Sequence, residues 1–181
     1  LTGDGIAILA ERGVSMASCP ISNMKLGNGF APARKMLDAG INVCLGTDGC
    51  ASSNNLDMLE TMKTSAMIQK AWRNDPSAMP LGELTAMATE NAGKALGREI
   101  GKISEGALAD ILIVDTQNYN FLSPGSFEAN FVYSAHSDCI DSVICNGKFV
   151  MRSRVVEGEK EILAEAAKVM SKLPSLESLE A

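Results

Sequence analysis

A single aspartate, Asp48, stands in the sequence LGTDGC (residues 45–50) where a carboxylate could do chemistry. It follows the short and nearly all-apolar run 41–45, which is typical of a strand buried on both faces. A carboxylate at the end of a buried strand can bind a divalent metal ion and accept a proton from metal-bound water. The alternative is a turn in which Asp48 bonds its own backbone beside Gly49. The spacing alone leaves both interpretations open.

Two further polar residues are candidates for the same site. Asn23 lies in CPISNMKLGNG (residues 19–29), which we predict to be an irregular loop on the same face as Asp48. Its side chain would hydrogen-bond either a substrate or the backbone of its own loop. Ser52 follows Asp48 in a short polar run. There it would support the carboxylate as a hydrogen-bond partner, or merely belong to a loop that caps a helix.

Histidine and cysteine content limits the metal chemistry that this chain can supply by itself. His136 is the only histidine and has no neighbours at metal-ligand spacing, so we expect it at a surface or interface. A catalytic zinc site commonly uses two or three histidines, and this chain therefore cannot complete one. The five cysteines include no CxxC pair, which indicates free thiols in a cytoplasmic protein.

The candidate residues lie in a segment, residues 1–98, that alternates helices and strands as parallel βα units do. The carboxyl ends of parallel strands form one face, which would bring the loop 19–29 and Asp48 together. Two such strands leave open sheet edges, so we expect these units to close a larger barrel whose other strands lie outside this chain. The predicted helices cover about 4–12, 32–39, 55–72 and 82–96, and the predicted strands cover about 14–19 and 41–45.

Residues 99–155 have a different character and predict a small antiparallel β module. Two short strands are expected within residues 101–116. A hairpin is predicted at Asn146-Gly147, because Asn-Gly is the strongest short signal for a tight turn between strands. Residues 156–181 predict an amphipathic helix followed by a polar, frayed tail.

Charge and hydropathy exclude several classes of partner. The chain carries 16 basic and 22 acidic residues, which gives a net charge of −6. This charge repels phosphate backbones, so we expect no nucleic-acid partner. No run approaches the roughly 20 apolar residues that cross a bilayer, and we expect no membrane partner. The first residues lack the basic segment and cleavage site of a signal peptide.

Four segments carry a specific combination of motifs: SCPISNMKLGNG, INVCLGTDGCASSNN, TAMATENAGKALG and GKISEGALADILIVD. Together they resemble the amidohydrolase superfamily, and within it the methylthioadenosine/S-adenosylhomocysteine and 5′-deoxyadenosine deaminases. The resemblance implies an α/β fold, the C-terminal part of a metal-dependent (β/α)8 TIM barrel plus part of a small composite β-sandwich. The implied division is 1–98 for the barrel units, 99–155 for the sandwich module and 156–181 for the C-terminal helix and tail.

The resemblance also implies a role for Asp48. This residue matches the family's aspartate at the end of the last barrel strand, which binds one divalent metal ion and takes a proton from the attacking water. Zinc is the implied metal, with iron or manganese as alternatives. The implied histidine ligands lie upstream, so the missing N-terminal half is an expected partner and the chain alone is expected to be inactive. We expect Asp48 and Asn23 to contact the substrate, with Ser52 as a supporting partner, and all three residues match the family pattern.

The implied reaction is hydrolytic deamination of an adenosine-type nucleoside, in which hydroxide attacks the purine carbon bearing the amino group and ammonia leaves. The implied substrates are 5′-deoxyadenosine, 5′-methylthioadenosine and S-adenosylhomocysteine, each giving an inosine-type product. A different amidohydrolase reaction, such as that of a guanine deaminase or a triazine-type chlorohydrolase, remains an alternative. A non-catalytic scaffold that kept the barrel is another. We further expect a cytoplasmic homo-oligomer.

Overall fold

A computed structural model describes residues 2–174 of the chain. These residues form two separate β-sheets with helices packed around them. The strands are β1 (Ser15–Ser18), β2 (Asn42–Leu45), β3 (Ile111–Val114), β4 (Ile140–Cys145) and β5 (Lys148–Met151). The helices are α1 (Gly3–Glu11), α2 (Pro20–Lys25), α3 (Ala33–Asp38), α4 (Cys50–Ser53), α5 (Met58–Arg73), α6 (Leu81–Ala88), α7 (Glu90–Leu96), α8 (Phe127–Tyr133) and α9 (Glu159–Met170).

The first sheet is parallel and consists of β1 and β2, with Ser18 opposite Leu45 at its carboxyl end. Helices α2 and α3 make the connection between the two strands, as a parallel pair requires. This is the βα arrangement that the sequence predicts. Its consequence is that the segments following β1 and β2 leave the sheet at the same edge.

The main hydrophobic core lies around β2, as expected for its apolar sequence. Val43 and Leu45 are buried together with Met36 of α3, Met62 of α5 and Leu84 of α6. Burial of these side chains is the main favourable term that fixes the strand against its helices. The position of the end of β2, and hence the start of the loop that follows it, is therefore fixed by packing.

Helix α7 is fixed to β2 by polar contacts that involve two asparagines. The Asn91 side chain donates a hydrogen bond to the Val43 carbonyl at 2.8 Å, and the Asn42 side chain donates to the Asn91 carbonyl at 2.9 Å. The first bond satisfies a backbone oxygen of the two-stranded sheet and the second satisfies one of helix α7, and each oxygen would otherwise need water.

The second sheet is antiparallel and has the order β3-β4-β5. The predicted hairpin is confirmed: Asn146 and Gly147 join β4 to β5 with φ angles of 48° and 77°. Two successive positive φ angles suit the right-handed twist of the flanking strands. A smaller buried cluster, including Leu59 of α5 with Cys139 and Ile140, packs this sheet against the first part of the chain.

The segment 19–29 was expected to be irregular, and that expectation is wrong for its first half. Pro20–Lys25 forms α2 directly after β1. Proline suits the first position of a helix because its φ is already helical and its missing N–H would have no partner there. The remainder, around Gly27 and Gly29, is irregular as predicted.

The single helix predicted over 82–96 is divided into α6 and α7. The break is at Thr89, whose φ of −130° and ψ of −89° are not helical. The backbone of Gly101 packs against the Thr89–Glu90 peptide at this point. The break therefore accompanies a tertiary contact, which local periodicity does not reveal.

Other boundaries also differ from the sequence prediction. Helix α5 begins at Met58, capped by the Asp57 carboxylate, rather than near residue 55. Only one strand, β3, is found within residues 101–116, where two were expected. Helix α8 was not predicted, and its Val132 is buried in the main core.

The predicted C-terminal helix is present as α9, which buries none of its residues against the described part of the chain. The predicted tail, residues 175–181, lies outside the described residues. The division at residues 98 and 155 stays a prediction. Across residues 2–174, every helix is too short or too polar to cross a bilayer.

Candidate functional site

The candidate site lies where β1 and β2 end. The Gly46 N–H donates to the Ser18 carbonyl at 2.9 Å, so the parallel pairing continues one residue beyond β2. Helix α2 then begins after β1, and Asp48 follows three residues after β2. Because both strands point the same way, the start of α2 and the loop carrying Asp48 meet at this edge.

Asp48 is held by two hydrogen bonds of different origin. The Ser22 hydroxyl donates to Oδ2 at 2.7 Å, and the Gly49 N–H donates to Oδ1 at 2.8 Å. Ser22 is 2% exposed, whereas Asp48 is exposed at the surface of the described chain. Asp48 has a φ of 62°, in the left-handed region that aspartate tolerates better than most residues.

These contacts separate the two interpretations of Asp48. A turn-forming aspartate accounts for the bond from Gly49, its neighbour in sequence. It does not account for the bond from Ser22, which is 26 residues away on the other βα unit. The carboxylate is therefore tied both to its own loop and to the neighbouring strand's helix.

The hydrogen bonds favour the ionised form of the carboxylate. The Ser22 hydroxyl is the largest cause that lowers the pKa of Asp48 below its ordinary value, followed by the Gly49 N–H and the nearby Ser52 hydroxyl. A carboxylate must be ionised to bind a metal ion. Asp48 meets this requirement at neutral pH.

This lowered pKa can be measured directly. We expect carbon-13 NMR titration of the side-chain carboxyl to give Asp48 a pKa below that of the aspartate in a short Thr-Asp-Gly peptide. Because the pKa of Asp48 is lower in the folded state than in the unfolded state, its ionised carboxylate stabilises the folded state above the unfolded-state pKa. This stabilisation is lost as the pH falls through the folded-state pKa. A carboxyl titrating at or above the peptide value would refute the hydrogen-bond geometry.

Ser52 belongs to the loop that carries Asp48, and its role as a supporting partner of the carboxylate stays a prediction. Its hydroxyl donates to the Gly49 carbonyl at 3.0 Å and lies close enough to Asp48 to lower the pKa of the carboxyl. Ser53, buried beside it, donates to the carbonyls of Gly49 and Asn55. The polar run 51–55 thus folds as a short helix, α4, followed by a turn with Asn54 at a φ of 70°.

Asn23 lies next to Ser22 on α2 and is partly buried. Among the described residues, its side-chain amide makes no hydrogen bond; only its backbone N–H and carbonyl do, to Cys19 and Asn28. The amide is thus not consumed by its own loop, which was the alternative to substrate binding. Its role toward a substrate stays a prediction.

Cys19 is the other reactive side chain at this edge, directly before α2. Burial raises the pKa of its thiol, and the negative charge of Asp48 raises it further. A side chain at Gly46 would put its Cβ 3.2 Å from the Cys19 sulfur. The thiol is therefore a close-packed group, and both causes favour its neutral form.

The Asp48 carboxylate fits a metal ion as one of several ligands, the others of which would come from other residues. Within residues 2–174, no cluster of three or more His, Cys, Asp or Glu side chains could hold a metal. His136 is exposed, as expected. Within the described part of the chain, hydrogen bonds from Ser22 and Gly49 use one lone pair on each Asp48 oxygen, so the residue can supply one carboxylate ligand to a site completed by other residues.

A separate apolar cavity of about 560 Å³ lies between α5, α6, α8 and β3. Leu56, Met62 and Phe131 are among the residues that line it, and Asp48 is not. The carboxylate and this cavity are therefore distinct features of the chain.

Residues 1–150 match the model of the amidohydrolase family. The 5-methylthioadenosine/S-adenosylhomocysteine deaminase of Moorella thermoacetica is 44% identical over 176 residues, which cover 95% of this chain and 41% of that protein. The 5′-deoxyadenosine deaminase of Methanothrix thermoacetophila is also 44% identical, over 98% of this chain and 42% of its own length. The chain thus spans about two fifths of the curated relatives that it matches.

Solved structures agree with this similarity. An adenosine deaminase from Xanthomonas campestris with bound zinc superposes with a TM-score of 0.91 at 34% identity, covering 95% of this chain and 40% of that one. A triazine hydrolase variant superposes with a TM-score of 0.88 at 27% identity, covering 97% and 39%. These matches confirm the predicted fold class.

Proposed function

Because the chain belongs to the amidohydrolase family, we propose that Asp48 is one metal ligand of an aminohydrolase acting on an adenosine-type nucleoside. The observation that carries the proposal is the ionised Asp48 carboxylate at the shared end of β1 and β2, bonded by Ser22 of the neighbouring unit. The names of the relatives at 44% identity support the substrate class: 5′-deoxyadenosine, 5′-methylthioadenosine and S-adenosylhomocysteine.

One divalent ion, zinc, is the proposed cofactor, with iron or manganese as alternatives. The zinc in the Xanthomonas adenosine deaminase supports this choice. When bound, zinc lowers the pKa of a water molecule to about 7 and so makes a nucleophile available near neutral pH. Asp48 would hold the ion through a free carboxylate lone pair.

The residues of this chain then have distinct proposed tasks. Asp48 accepts the proton released when water attacks the purine carbon that carries the amino group. Ser52 keeps the Asp48 loop in shape through the Gly49 carbonyl. The Asn23 side-chain amide, which bonds none of the residues that the structure describes, is the proposed substrate contact.

The remaining ligands would come from the part of the protein that this chain does not contain. The βα units of residues 1–98 would then close a (β/α)8 barrel, with residues 99–155 forming part of a β-sandwich. We expect the chain alone to be inactive, since one carboxylate cannot hold a catalytic metal ion. The whole protein is proposed to be a cytoplasmic homo-oligomer, and the five free cysteines support that compartment.

A substrate panel tests the proposal. Full-length protein loaded with zinc should convert at least one of the three nucleosides to its inosine-type product, seen as the ultraviolet change from adenine to hypoxanthine and as released ammonia. Apo-protein prepared with a chelator is the control and should regain activity when zinc is returned. No conversion of any adenosine-type nucleoside would reject the proposal.

A second candidate function is triazine hydrolysis, favoured by the match to the triazine hydrolase structures. The lower identity, 27% against 44% for the nucleoside deaminases, makes it the weaker candidate. Chloride release from a chlorotriazine by the same zinc-loaded protein, without ammonia release from nucleosides, would favour it instead.

A further inference from the structure

Ser22 is a buried hydroxyl that bonds the proposed metal ligand from another structural unit. It is 2% exposed and donates to Asp48 Oδ2 at 2.7 Å. We propose that Ser22 is a positioning residue, which fixes the Asp48 carboxylate in the orientation needed to bind the metal ion. This inference rests on the proposed function and deepens it.

The carboxylate needs such a partner because little else restrains it. The last side-chain torsion of aspartate is broad, and Asp48 is exposed, so its carboxylate plane would otherwise rotate. The Gly49 N–H restrains Oδ1 but belongs to the same loop, and a loop can move as a whole. The bond from Ser22 ties Oδ2 to a different element and thereby fixes the plane relative to the sheet.

The position of Ser22 suits this task. It is the third residue of α2, which begins at the buried Pro20 directly after β1. A helical serine often bonds the carbonyl four residues earlier, which here belongs to Ser18. In this structure that carbonyl accepts the Gly46 N–H, and the Ser22 hydroxyl donates to Asp48. Among the described residues, Asp48 is the only acceptor that the Ser22 hydroxyl has.

The bonding pattern leaves lone pairs for a metal ion. A carboxylate has about four lone-pair sites, two on each oxygen. Ser22 uses one site on Oδ2 and Gly49 uses one on Oδ1, which leaves one site on each oxygen as far as residues 2–174 are concerned. One remaining site can hold the ion and the other can accept a proton, in directions that the two hydrogen bonds fix.

The test uses zinc-loaded full-length protein with Ser22→Ala, Ser22→Cys and Ser22→Thr. Zinc affinity is measured by competition with a chromophoric chelator, and kcat and KM are measured with the best nucleoside. Loss of a hydrogen bond to a metal ligand typically costs about 10-fold in affinity or activity. We expect that loss in zinc affinity and in kcat for Ser22→Ala and Ser22→Cys, with KM unchanged, and we expect Ser22→Thr to retain most of both.

Cysteine has the same shape as serine with a somewhat larger terminal atom and is only a weak donor, so it tests the hydrogen bond even where alanine fails to fold. Ser142→Ala is the matched control: it removes a buried serine hydroxyl that also donates to an aspartate, Asp141 Oδ2 at 2.8 Å, but lies on β4 of the second sheet, and it should change neither quantity. Wild-type zinc affinity and kcat in Ser22→Cys would overturn the inference, as would equal losses in Ser22→Thr and Ser22→Ala. Failure of the proposed function appears differently, as an inactive wild type, and the zinc measurement still reports on Ser22.

Discussion

We expect Asp48→Asn to lower kcat/KM of the zinc-loaded full-length protein by about 10³-fold or more. A positioned proton acceptor contributes about 10²- to 10⁴-fold to the rate of such a reaction. Asparagine has nearly the same shape and can still accept the Ser22 and Gly49 hydrogen bonds through its single oxygen, one at a time. It carries no negative charge, so it is a poor metal ligand and cannot take a proton from water. The measurement is steady-state deamination of the best nucleoside, with zinc content determined on the same samples.

Asp75→Asn is the matched control for this experiment. Asp75 also lies in a loop, and its pKa is likewise lowered by a serine hydroxyl and a backbone N–H, both from Ser77. It follows α5 rather than a strand, so the same substitution there should leave activity unchanged. A full-length Asp48→Asn protein with activity similar to that of Asp75→Asn would contradict the role of Asp48.

The largest expected effect on stability is at Gly101. A Cβ at this position would lie 2.4 Å from the Thr89 carbonyl carbon and 2.5 Å from the Glu90 nitrogen. Both are backbone atoms that cannot move without disturbing the α6–α7 junction. Gly101 also has a φ of 82°, where alanine is strained. We expect Gly101→Ala to reduce the free energy of unfolding by about 3 kcal/mol or more, measured by urea denaturation.

Gly106→Ala separates the clash from the backbone strain. Gly106 has almost the same φ, 83°, but an added Cβ would meet nothing within 4 Å. We expect it to cost only the strain, about 1–2 kcal/mol. Equal destabilisation by the two substitutions would show that the Gly101 backbone does not pack against the Thr89–Glu90 peptide.

The parts of the fold that sequence predicts well are those fixed by local signals. The Asn146-Gly147 turn is specified by two residues that accept positive φ, and β2 is specified by a short run in which only Asn42 is polar. The break at Thr89 and helix α8 were missed for a different reason. The break at Thr89 accompanies close packing of Gly101, and helix α8 is stabilised by burial of Val132 in the main core. Both features depend on contacts between segments that are separated in the sequence.

In the candidate site, too, a residue with a local sequence signal was predicted and a residue that depends on a contact between separated segments was not. Asp48 was identifiable because it follows a buried strand and matches a specific family motif. Ser22 was not, because the bond that gives it a role crosses 26 residues and depends on two strands ending at one edge. The available signal was a serine two positions after Pro20, which would have required α2 to be predicted as a helix.

Direct coordination of a metal ion by Asp48 is the central feature of the proposed site. A crystal structure of the full-length protein grown with zinc, with data collected at the zinc absorption edge, tests this directly. We predict an anomalous peak about 2.0–2.2 Å from one Asp48 carboxylate oxygen, with Ser22 still bonded to that carboxylate. A zinc peak surrounded by other ligands, with the Asp48 carboxylate outside coordination distance and bonded only to Ser22 and Gly49, would contradict the account.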